Sequence, residues 1–330
     1  MKKKFISIVI PLYNEKGNIT PLFQQIHQVM QNLKVEYEII FVDDGSTDGS
    51  DIVLGELYKG NRNDIKVVMF RRNFGKSAAL CAGFDIAQGK FIFTMDGDLQ
   101  DDPTEIPKFL ATLDGVYDLL SGWKFPRRDP ILKRLPSKIF NFVTSRMTGV
   151  RLHDFNCGFK LYRREVVENI SIYGELHRYI PVFAHQLGFK IGEVKVNHRP
   201  RTWGKSKYGN RRLFIGFLDL ITALFITKFI RKPLHLFGFA GIISIVCGIT
   251  IDIYLTIIRI MGERIGNRPL LVLGNLLIIV GIQFILMGLI GDMMSKVFQG
   301  QSPEYSVKRY LGVKEGEWSS KEERIKREKL

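Results

Sequence analysis

The densest group of carboxylates in the sequence directly follows a short apolar run. Asp96, Asp98 and Gln100 occupy alternate positions there, so in an extended segment their oxygens point the same way and can converge. Neighbouring carboxylates repel one another and need a compensating charge, which Mg²⁺ or Mn²⁺ can supply while also binding substrate phosphates. The pattern predicts a divalent-metal site, and the alternative is a solvated turn in which Asp101 and Asp102 cap a helix.

A second pair of carboxylates, Asp43 and Asp44, follows an earlier apolar run. Their oxygens could accept hydrogen bonds from the base or ribose of a nucleotide. The same stretch could also begin a helix, because Ser46 and Asp48 are residue types that cap helix N-termini. Both interpretations can hold together, with Asp43 facing a ligand and its neighbours capping the helix.

Basic residues suited to phosphate follow the third and fifth apolar runs. Lys76 opens a stretch of helix length, and the N-terminus of a helix favours a phosphate group. Lys124 and Arg127 follow the fifth run. A further basic segment could attract anionic headgroups or bind a phosphate carried on a lipid, and it contains Arg199, Arg201, Lys205, Ser206 and Lys207.

The composition limits the classes of protein that fit. The chain has 330 residues, of which 45% are apolar, and Lys and Arg exceed Asp and Glu by 15. This length supports one large or two ordinary domains, and the positive charge indicates a polyanionic partner. Three cysteines are too few for a disulfide scaffold and indicate a reducing compartment, and no Cys/His cluster has the spacing of a zinc site.

Short apolar runs alternate with stretches of helix length before residue 211. This alternation predicts an α/β fold with a mostly parallel, doubly wound sheet, in which ligands lie at the carboxyl ends of the strands. The charged residues described above follow those runs, so the sheet would gather them at one edge. The predicted strands are Phe5–Ile10, Glu38–Val42, Lys66–Phe70, Phe91–Met95 and Tyr117–Leu120, and the predicted helices are Gly17–Leu33, Asp48–Tyr58, Lys76–Ala87 and Pro103–Leu113.

Two long apolar runs lie in the C-terminal third of the chain. Leu234–Ile258 and Leu270–Gly291 each reach the roughly 20 residues that cross a bilayer. The short link between them predicts a membrane hairpin, which places the N-terminal domain and the C-terminal tail both in the cytoplasm. The shorter run Leu213–Thr227 has basic residues at both ends and predicts a helix lying in the membrane interface, with a third span as the alternative.

Glycines recur every seven residues along each predicted span, which places them on one helix face. They could pack the hairpin or join copies of the chain. Asp252 is an acid within the first span and is therefore a candidate functional residue. The predicted organisation is an N-terminal domain (1–210), an interfacial helix (211–232), two membrane helices (233–298) and a tail (299–330).

Six segments form an ordered set of motifs along about 200 residues: Val9–Glu15, Val42–Asp48, Asn73–Lys76, Met95–Pro103, Asp154–Tyr162 and Arg201–Lys207. Together they resemble the inverting nucleotide-sugar glycosyltransferases of family two, which have the so-called A fold. Within that family, the chain is similar to the dolichol-phosphate mannose synthases and most similar to bacterial polyprenyl-phosphate glucosyltransferases with a two-helix C-terminal anchor. The membrane part agrees in the number and placement of spans rather than in motifs.

The resemblance implies a role for each matched residue. Asp98 and Asp154 would be catalytic. The primary role of Asp154 would be to position the acceptor or the sugar, and its secondary role would be that of a base. Lys124 stands where the mannose synthases tend to carry Arg, and Lys keeps the charge but loses bidentate geometry. The implied nucleotide-sugar-binding residues are Pro11, Tyr13, Glu15, Asp43, Asp44, Lys76 and Asp96; the implied metal ligands are Asp96, Asp98 and Gln100; the implied phosphate-binding residues are Lys124, Arg127, Arg199, Arg201, Lys205, Ser206 and Lys207.

The implied reaction is a metal-dependent, inverting transfer of a sugar, expected to be glucose from UDP-glucose, to a polyprenyl phosphate at the membrane. GDP-mannose, UDP-N-acetylglucosamine and UDP-aminoarabinose derivatives are alternative donors. A homo-oligomer, a flippase and a downstream glycosyltransferase are further candidate partners, and no nucleic acid is expected. A processive polysaccharide synthase would need a Q-x-x-R-W segment, which the sequence lacks, and a sugar-nucleotide sensor would be expected to have lost Asp96 and Asp98.

Overall fold

The computed structural model describes residues 5–113, 115–125, 141–170, 172, 174, 176–197, 199, 233–262 and 269–299. The chain separates into two compact units, Met1–Ala223 and Leu224–Leu330. The predicted interfacial helix at 211–232 lies outside the described residues, as does the predicted tail after residue 299.

A seven-stranded sheet forms the centre of the first unit. Its strands are β1 (Ile6–Leu12), β2 (Tyr37–Asp43), β3 (Ile65–Met69), β4 (Phe91–Thr94), β5 (Leu119–Lys124), β6 (Lys160–Arg163) and β7 (Ile191–Val196). They lie side by side in the order β3-β2-β1-β4-β6-β5-β7. Among the described strands, β6 runs antiparallel to both of its neighbours and the other pairs are parallel. The predicted α/β fold with a mostly parallel sheet is therefore confirmed.

Helices cover both faces of this sheet. They are α1 (Lys16–Leu33), α2 (Ser50–Gly60), α3 (Lys76–Ile86), α4 (Ile106–Thr112), α5 (Arg164–Asn169) and α6 (Ile180–Gln186), and residues 141–148 are also helical. Successive side chains of β1 join different buried clusters. Ile8 packs in the cluster that contains Leu22 of α1, whereas Val9 packs in the cluster that contains Leu80 of α3. A strand buried on both faces explains why the apolar runs are continuous rather than alternating.

The fifth strand differs from its prediction, and β6 and β7 were not predicted. The apolar run ends at Leu120, but β5 continues to Lys124 because its pairing with β7 extends that far. Lys124 is thus the last residue of the strand and does not follow it. The four residues of β6 include Lys160 and Arg163, so this strand lacks the apolar run that marks the others.

The second unit contains two apolar helices, α7 (Pro233–Ile260) and α8 (Pro269–Gln299), which pack along each other. Both are long and apolar enough to cross a membrane, judged by length and composition. They contain the two predicted spans, and α8 extends beyond the second one to Gln299. The predicted pair of apolar helices in a hairpin is therefore confirmed.

Glycines allow α7 and α8 to approach at backbone distance. A Cβ built on Gly241 would lie 2.6 Å from the carbonyl oxygen of Gly281, and one on Gly248 would lie 2.6 Å from that of Gly274. Of the two interpretations of the repeated glycines, the structure supports packing within the hairpin. Asp252 places Oδ1 against Gly274, where this oxygen has no hydrogen-bond partner among the described residues.

The substitution Gly281→Ala should destabilise the hairpin, because the new methyl would lie 2.6 Å from the Gly241 carbonyl oxygen and 2.6 Å from Cγ1 of Ile245. Overpacking of this kind costs about 1–3 kcal/mol, so the full chain in detergent should unfold at a lower temperature. Gly238→Ala is the matched control, since the nearest atom to its methyl would be 3.5 Å away. Equal unfolding temperatures for the two variants would contradict the described packing.

Candidate active site

The acidic turn, defined here as residues 96–102, follows β4 at the carboxyl edge of the parallel strands. Within it, Leu99 has a φ of 61°, a left-handed conformation that is uncommon for a residue with a Cβ. Leu99 packs into the buried cluster beneath the sheet, and Asp98 Oδ1 accepts a hydrogen bond from the Gln100 N–H at 3.2 Å. Packing and hydrogen bonding thus hold the turn in a conformation that the free chain would disfavour.

Lysines from two other elements pair with carboxylates of this turn. Lys76, the first residue of α3, donates a hydrogen bond to Asp96 Oδ1. Lys124 Nζ at the end of β5 lies 3.4 Å from Asp101 Oδ1. Asp101 Oδ2 in turn accepts a hydrogen bond from the N–H of Asp96 at 3.1 Å. The lysines therefore supply the compensating charge that neighbouring carboxylates require.

The pKa values of these groups show how the charges balance. Loss of water contacts would raise the pKa of Asp96, but Lys76 and Lys124 hold it well below its usual range. Burial raises the pKa of Asp101, and the charges of Asp96 and Asp98 raise it further. Burial alone would lower the pKa of Lys124, but the Asp101 carboxylate helps to hold it above its usual value. Burial is thus the main reason that the pKa of Asp101 is raised, and Lys124 opposes this effect.

The donor atoms in the turn fit Mg²⁺ or Mn²⁺. Asp96, Asp98 and Gln100 offer two carboxylates and one amide oxygen, and these ions bind through few protein oxygens together with substrate phosphates. Across the described part of the chain, no three His, Cys, Asp or Glu side chains are grouped as a ready-made metal site. The hard oxygen donors therefore fit a cation whose coordination shell substrate phosphates would complete.

Gly158 and Lys160, which the sequence reasoning did not single out, border the acidic turn. A Cβ on Gly158 would lie 2.6 Å from Cγ of Asp96, so the carboxylate occupies the space of the missing side chain. Lys160 is buried in β6, where its Nζ donates to the carbonyl oxygen of Cys157. Burial lowers the pKa of Lys160. Both residues fall within the matched segment Asp154–Tyr162, which was the available signal, but their contacts arise across an unpredicted strand.

A half-buried histidine also lies beside the first lysine of the site and was not predicted. His177 Nδ1 is 3.1 Å from Oγ of Ser77, the residue that follows Lys76. Burial, followed by the positive charge of Lys76, lowers the pKa of His177 well below its usual value. The imidazole is therefore neutral at pH 7 and adds no cation to the site.

The loops after β1 and β2 bind each other beside the acidic turn. The N–H of Asn14 donates to Ser46 Oγ at 2.8 Å, and Asn14 Oδ1 accepts the N–H of Thr47 at 2.8 Å. Asp43 Oδ1 accepts the N–H of Ser46 at 3.1 Å. These bonds bring together the carboxyl ends of β1 and β2, with Pro11 and Asp43 in the strands and Tyr13, Glu15 and Asp44 in the loops that follow; all five are predicted nucleotide-binding residues.

Asp44 also holds the loop before α3. Its two carboxylate oxygens accept the N–H groups of Phe74 at 2.7 Å and Gly75 at 3.0 Å. Burial raises the pKa of Asp44, and these two N–H groups partly offset that effect. The carboxylate thereby fixes the backbone immediately before Lys76, whatever it binds in addition.

Asp154 is buried next to the Lys124 side of the site. Its Oδ1 accepts the N–H of Asn156 at 3.0 Å, and its own N–H donates to Glu193 Oε1 at 3.1 Å. Asp154 is also among the carboxylates that raise the pKa of Lys124. Glu193 of β7 was not predicted, and it fixes the backbone at Asp154.

The residues predicted to bind phosphate on the lipid side are only partly described. Arg199 forms a salt bridge with Asp102: its Nε is 3.0 Å from Oδ2 and its Nη2 is 2.6 Å from Oδ1. Its guanidinium is therefore paired with a carboxylate of the acidic turn. The remaining predicted phosphate-binding residues lie outside the described part of the chain, namely Arg127, Arg201, Lys205, Ser206 and Lys207.

Comparison with known sequences identifies relatives that extend over most of the chain. Residues 7–171 match the family described as Glycosyl transferase family 2. The dodecaprenyl-phosphate galacturonate synthase of Rhizobium johnstonii is 37% identical over 312 residues, which cover 92% of each chain. An undecaprenyl-phosphate 4-deoxy-4-formamido-L-arabinose transferase of Yersinia enterocolitica is 32% identical over 320 residues, which cover 96% of each chain.

Solved structures share the fold at low sequence identity. Glucosyl-3-phosphoglycerate synthase from Mycobacterium tuberculosis, in complex with Mg²⁺ and UDP, aligns with a TM-score of 0.52 at 18% identity over 67% of this chain and 79% of that one. A mannosyltransferase from Pyrobaculum calidifontis, in complex with GDP-Man and Mn²⁺, aligns with a TM-score of 0.50 at 17% identity over 68% of this chain and 64% of that one. These likenesses establish the fold.

The substitution Gly158→Ala should weaken Mn²⁺ binding, because the new methyl would displace the Asp96 carboxylate that now lies against Gly158. We expect a loss of about tenfold, as for disruption of groups that orient a metal ligand, measured by electron paramagnetic resonance of free Mn²⁺. Gly55→Ala on α2 is the control, since nothing lies within 4 Å of its new methyl. Wild-type Mn²⁺ affinity in Gly158→Ala would argue against Asp96 as a ligand.

Proposed function

Because the chain belongs to glycosyl transferase family 2, we propose that it transfers a sugar from a nucleotide sugar to a polyprenyl phosphate. The relatives that match it over most of its length are named for polyprenyl-phosphate sugar transfer. The observation that carries the proposal is the pairing of Lys76 and Lys124 with Asp96 and Asp101 at the carboxyl edge of the sheet. This arrangement suits a diphosphate that leaves as an anion.

The donor would bind across the loops after β1, β2 and β4. Pro11, Tyr13, Glu15, Asp43 and Asp44 lie at the carboxyl ends of β1 and β2 or in the loops that follow them, and would hold the base and ribose. Lys76 begins a helix and would bind diphosphate oxygens together with Lys124. When bound through Asp96, Asp98 and Gln100, Mg²⁺ or Mn²⁺ would offset the charge that develops on the departing diphosphate.

The acceptor needs little help to become a nucleophile. A phosphate monoester is largely ionised near neutral pH, so its oxygen can attack the anomeric carbon without a strong base. One bond forms between phosphate oxygen and anomeric carbon while the bond from that carbon to the diphosphate breaks, which inverts the configuration. Glu193 fixes the backbone of Asp154. The Asp154 carboxylate would primarily position the acceptor or the sugar, and its secondary role would be that of a base.

Phosphate on the acceptor side would bind to Lys124 and to residues outside the described part of the chain. These are the cations Arg127, Arg201, Lys205 and Lys207 and the hydroxyl of Ser206. Helices α7 and α8 would anchor the enzyme in the membrane that contains the lipid, with the N-terminal domain and tail in the cytoplasm, and so raise the effective concentration of the acceptor. The resulting lipid-linked sugar would then be a substrate for a flippase and a second glycosyltransferase.

UDP-glucose stays the donor expected from the sequence. The relatives are named for galacturonate and for 4-deoxy-4-formamido-L-arabinose, so the nucleotide derivatives of these two sugars join it as first candidates. Sugar choice rests on a few contacts in the pocket. GDP-mannose and UDP-N-acetylglucosamine complete the set that a donor screen must include.

A partition assay tests the reaction and identifies the donor. Purified full chain in detergent receives undecaprenyl phosphate, Mg²⁺ or Mn²⁺, and one labelled nucleotide sugar at a time. We expect label to enter the organic phase with one donor and a chelator to prevent this transfer. Nucleotide binding without transfer from any donor would contradict the proposal and favour a sensor or a different acceptor.

Asp96→Asn and Asp98→Asn should each reduce turnover by at least about a hundredfold, since each loses a charged ligand of the expected metal and its electrostatic effect on the leaving group. The same partition assay measures the loss, and unfolding temperature checks that each variant folds. Glu56→Gln, an acid-to-amide change at an exposed position of α2, is the control and should retain turnover. Normal turnover in either Asp variant would remove the proposed metal site.

A further inference from the structure

Arg199, which follows β7, contacts the acidic turn and helix α1. Its guanidinium makes a two-point contact with the Asp102 carboxylate, at 3.0 Å and 2.6 Å. Its backbone N–H donates to the carbonyl oxygen of Gln100 at 3.1 Å. Its Nη1 donates to Oε1 of Gln25 on α1 at 2.7 Å. We call these four contacts the Arg199 latch.

The geometry of the latch suits a fixed contact. A guanidinium that meets a carboxylate at two points forms one of the stronger and more directional charge-assisted interactions in proteins. Asp102 is only 7% exposed, so solvent screens this pair less than it screens a surface pair. Asp102 Oδ1 also accepts the N–H of Thr104 at 3.0 Å, which fixes the carboxylate independently of Arg199.

Neighbouring bonds attach the chain before Arg199 to the region that follows the acidic turn. The N–H of Asn197 donates to Glu105 Oε1 at 3.2 Å. Lys108 of α4 donates to the carbonyl oxygen of Lys195 in β7. Lys195, Asn197 and Arg199 are thus bonded to residues between 100 and 108. Of these bonds, those in the Arg199 latch are made to the acidic turn itself.

The acidic turn needs support on more than one side. The left-handed Leu99 lies between Asp98 and Gln100, and its buried side chain holds the turn from the core. The Arg199 latch holds the same turn through the Gln100 carbonyl and the Asp102 carboxylate. Without the latch, the backbone at Leu99 could relax toward an ordinary conformation and move the two expected metal ligands beside it.

We propose that Arg199 is a positioning residue that holds the acidic turn in the shape that binds a metal–diphosphate. The inference rests on the proposed function, and it assigns Arg199 a different role from the phosphate binding expected from the sequence. Arg199 acts through Asp102 and Gln100 and need not touch either substrate. The latch also fixes the point from which the chain continues to the basic residues Arg201 and Lys205.

Hydrogen–deuterium exchange on the ligand-free full chain in detergent tests the latch directly. Arg199→Met and Asp102→Asn should each speed exchange in peptides that cover residues 96–102, by about tenfold for a locally opened turn. Arg163→Met and Asp118→Asn are the matched controls, because Arg163 Nε lies 3.5 Å from Asp118 Oδ1. This pair joins the last residue of β6 to the residue before β5, at the end of these strands that is remote from the acidic turn. Wild-type exchange at the acidic turn in Arg199→Met would overturn the proposal.

A binding measurement separates positioning from phosphate binding. For Mn²⁺ in the presence of UDP, Arg199→Met and Asp102→Asn should each weaken binding by about tenfold, as for loss of a contact that orients metal ligands. The double variant should be no weaker than either single one, since both remove the same contact. Arg199→Lys, which keeps charge without the two-point geometry, should fall between wild type and Arg199→Met.

Two results would contradict the latch in different ways. One such result is a raised KM for polyprenyl phosphate in Arg199→Met, with unchanged Mn²⁺–UDP binding and no change in KM in Asp102→Asn. This result would make Arg199 a phosphate ligand. Faster exchange throughout the first unit would make it a general stabilising residue. The exchange experiment contains no ligand, so it tests the latch even if the chain transfers no sugar. Sugar transfer that neither substitution affects would contradict the positioning role of Arg199 and leave the proposed function intact.

Discussion

The concentration of acidic charge at the end of β4 is the constraint on which the rest of the site depends. Carboxylates this close together are stable only with cations among them. Lys76 and Lys124 meet that need from α3 and β5, two elements that the sheet brings to the same edge. Under the proposed function, the same lysines would also bind the diphosphate of a donor.

Close approach made possible by glycine recurs in both units of the protein. Gly158 leaves room for the Asp96 carboxylate, and Gly241 and Gly281 let two apolar helices meet at their backbones. The consequence differs with the surroundings. In the first unit the missing side chain admits a charged group, whereas in the hairpin it allows van der Waals packing, which is the main attraction between helices in a lipid environment.

The proposed reaction transfers a sugar between two anions, from a nucleotide diphosphate sugar to a lipid phosphate. The negative charge of both substrates would explain several features together. Basic residues predominate in the sequence, which favours anionic substrates and an anionic membrane surface. At the carboxyl edge of the sheet, a lysine, an arginine or backbone N–H groups hold the carboxylates of Asp96, Asp102 and Asp44. The proposed Arg199 latch extends this pattern, because a cation would shape the turn that is proposed to bind the metal.

The sequence by itself determined the α/β fold, five of the seven strands, the carboxyl edge that these strands share and the apolar hairpin. Apolar runs report how buried a segment is, and parallel strands necessarily share one edge, so Asp43 and Asp96 could be assigned to it without a structure. It did not reveal β6, whose two charged residues among four conceal the strand, nor the full length of β5. Those two elements position Lys160 and Lys124.

Only the tertiary structure decided which partner each charged group takes. Arg199 and Asp102 are 97 residues apart, and Lys76 and Asp96 are joined from different elements, so their pairing depends on the order in which strands lie side by side. Periodicity and motifs describe the local environment of a residue. Ion pairs, and the space left by Gly158, depend on distances between segments that are remote along the chain, which is the physical reason that the sequence alone could not decide them.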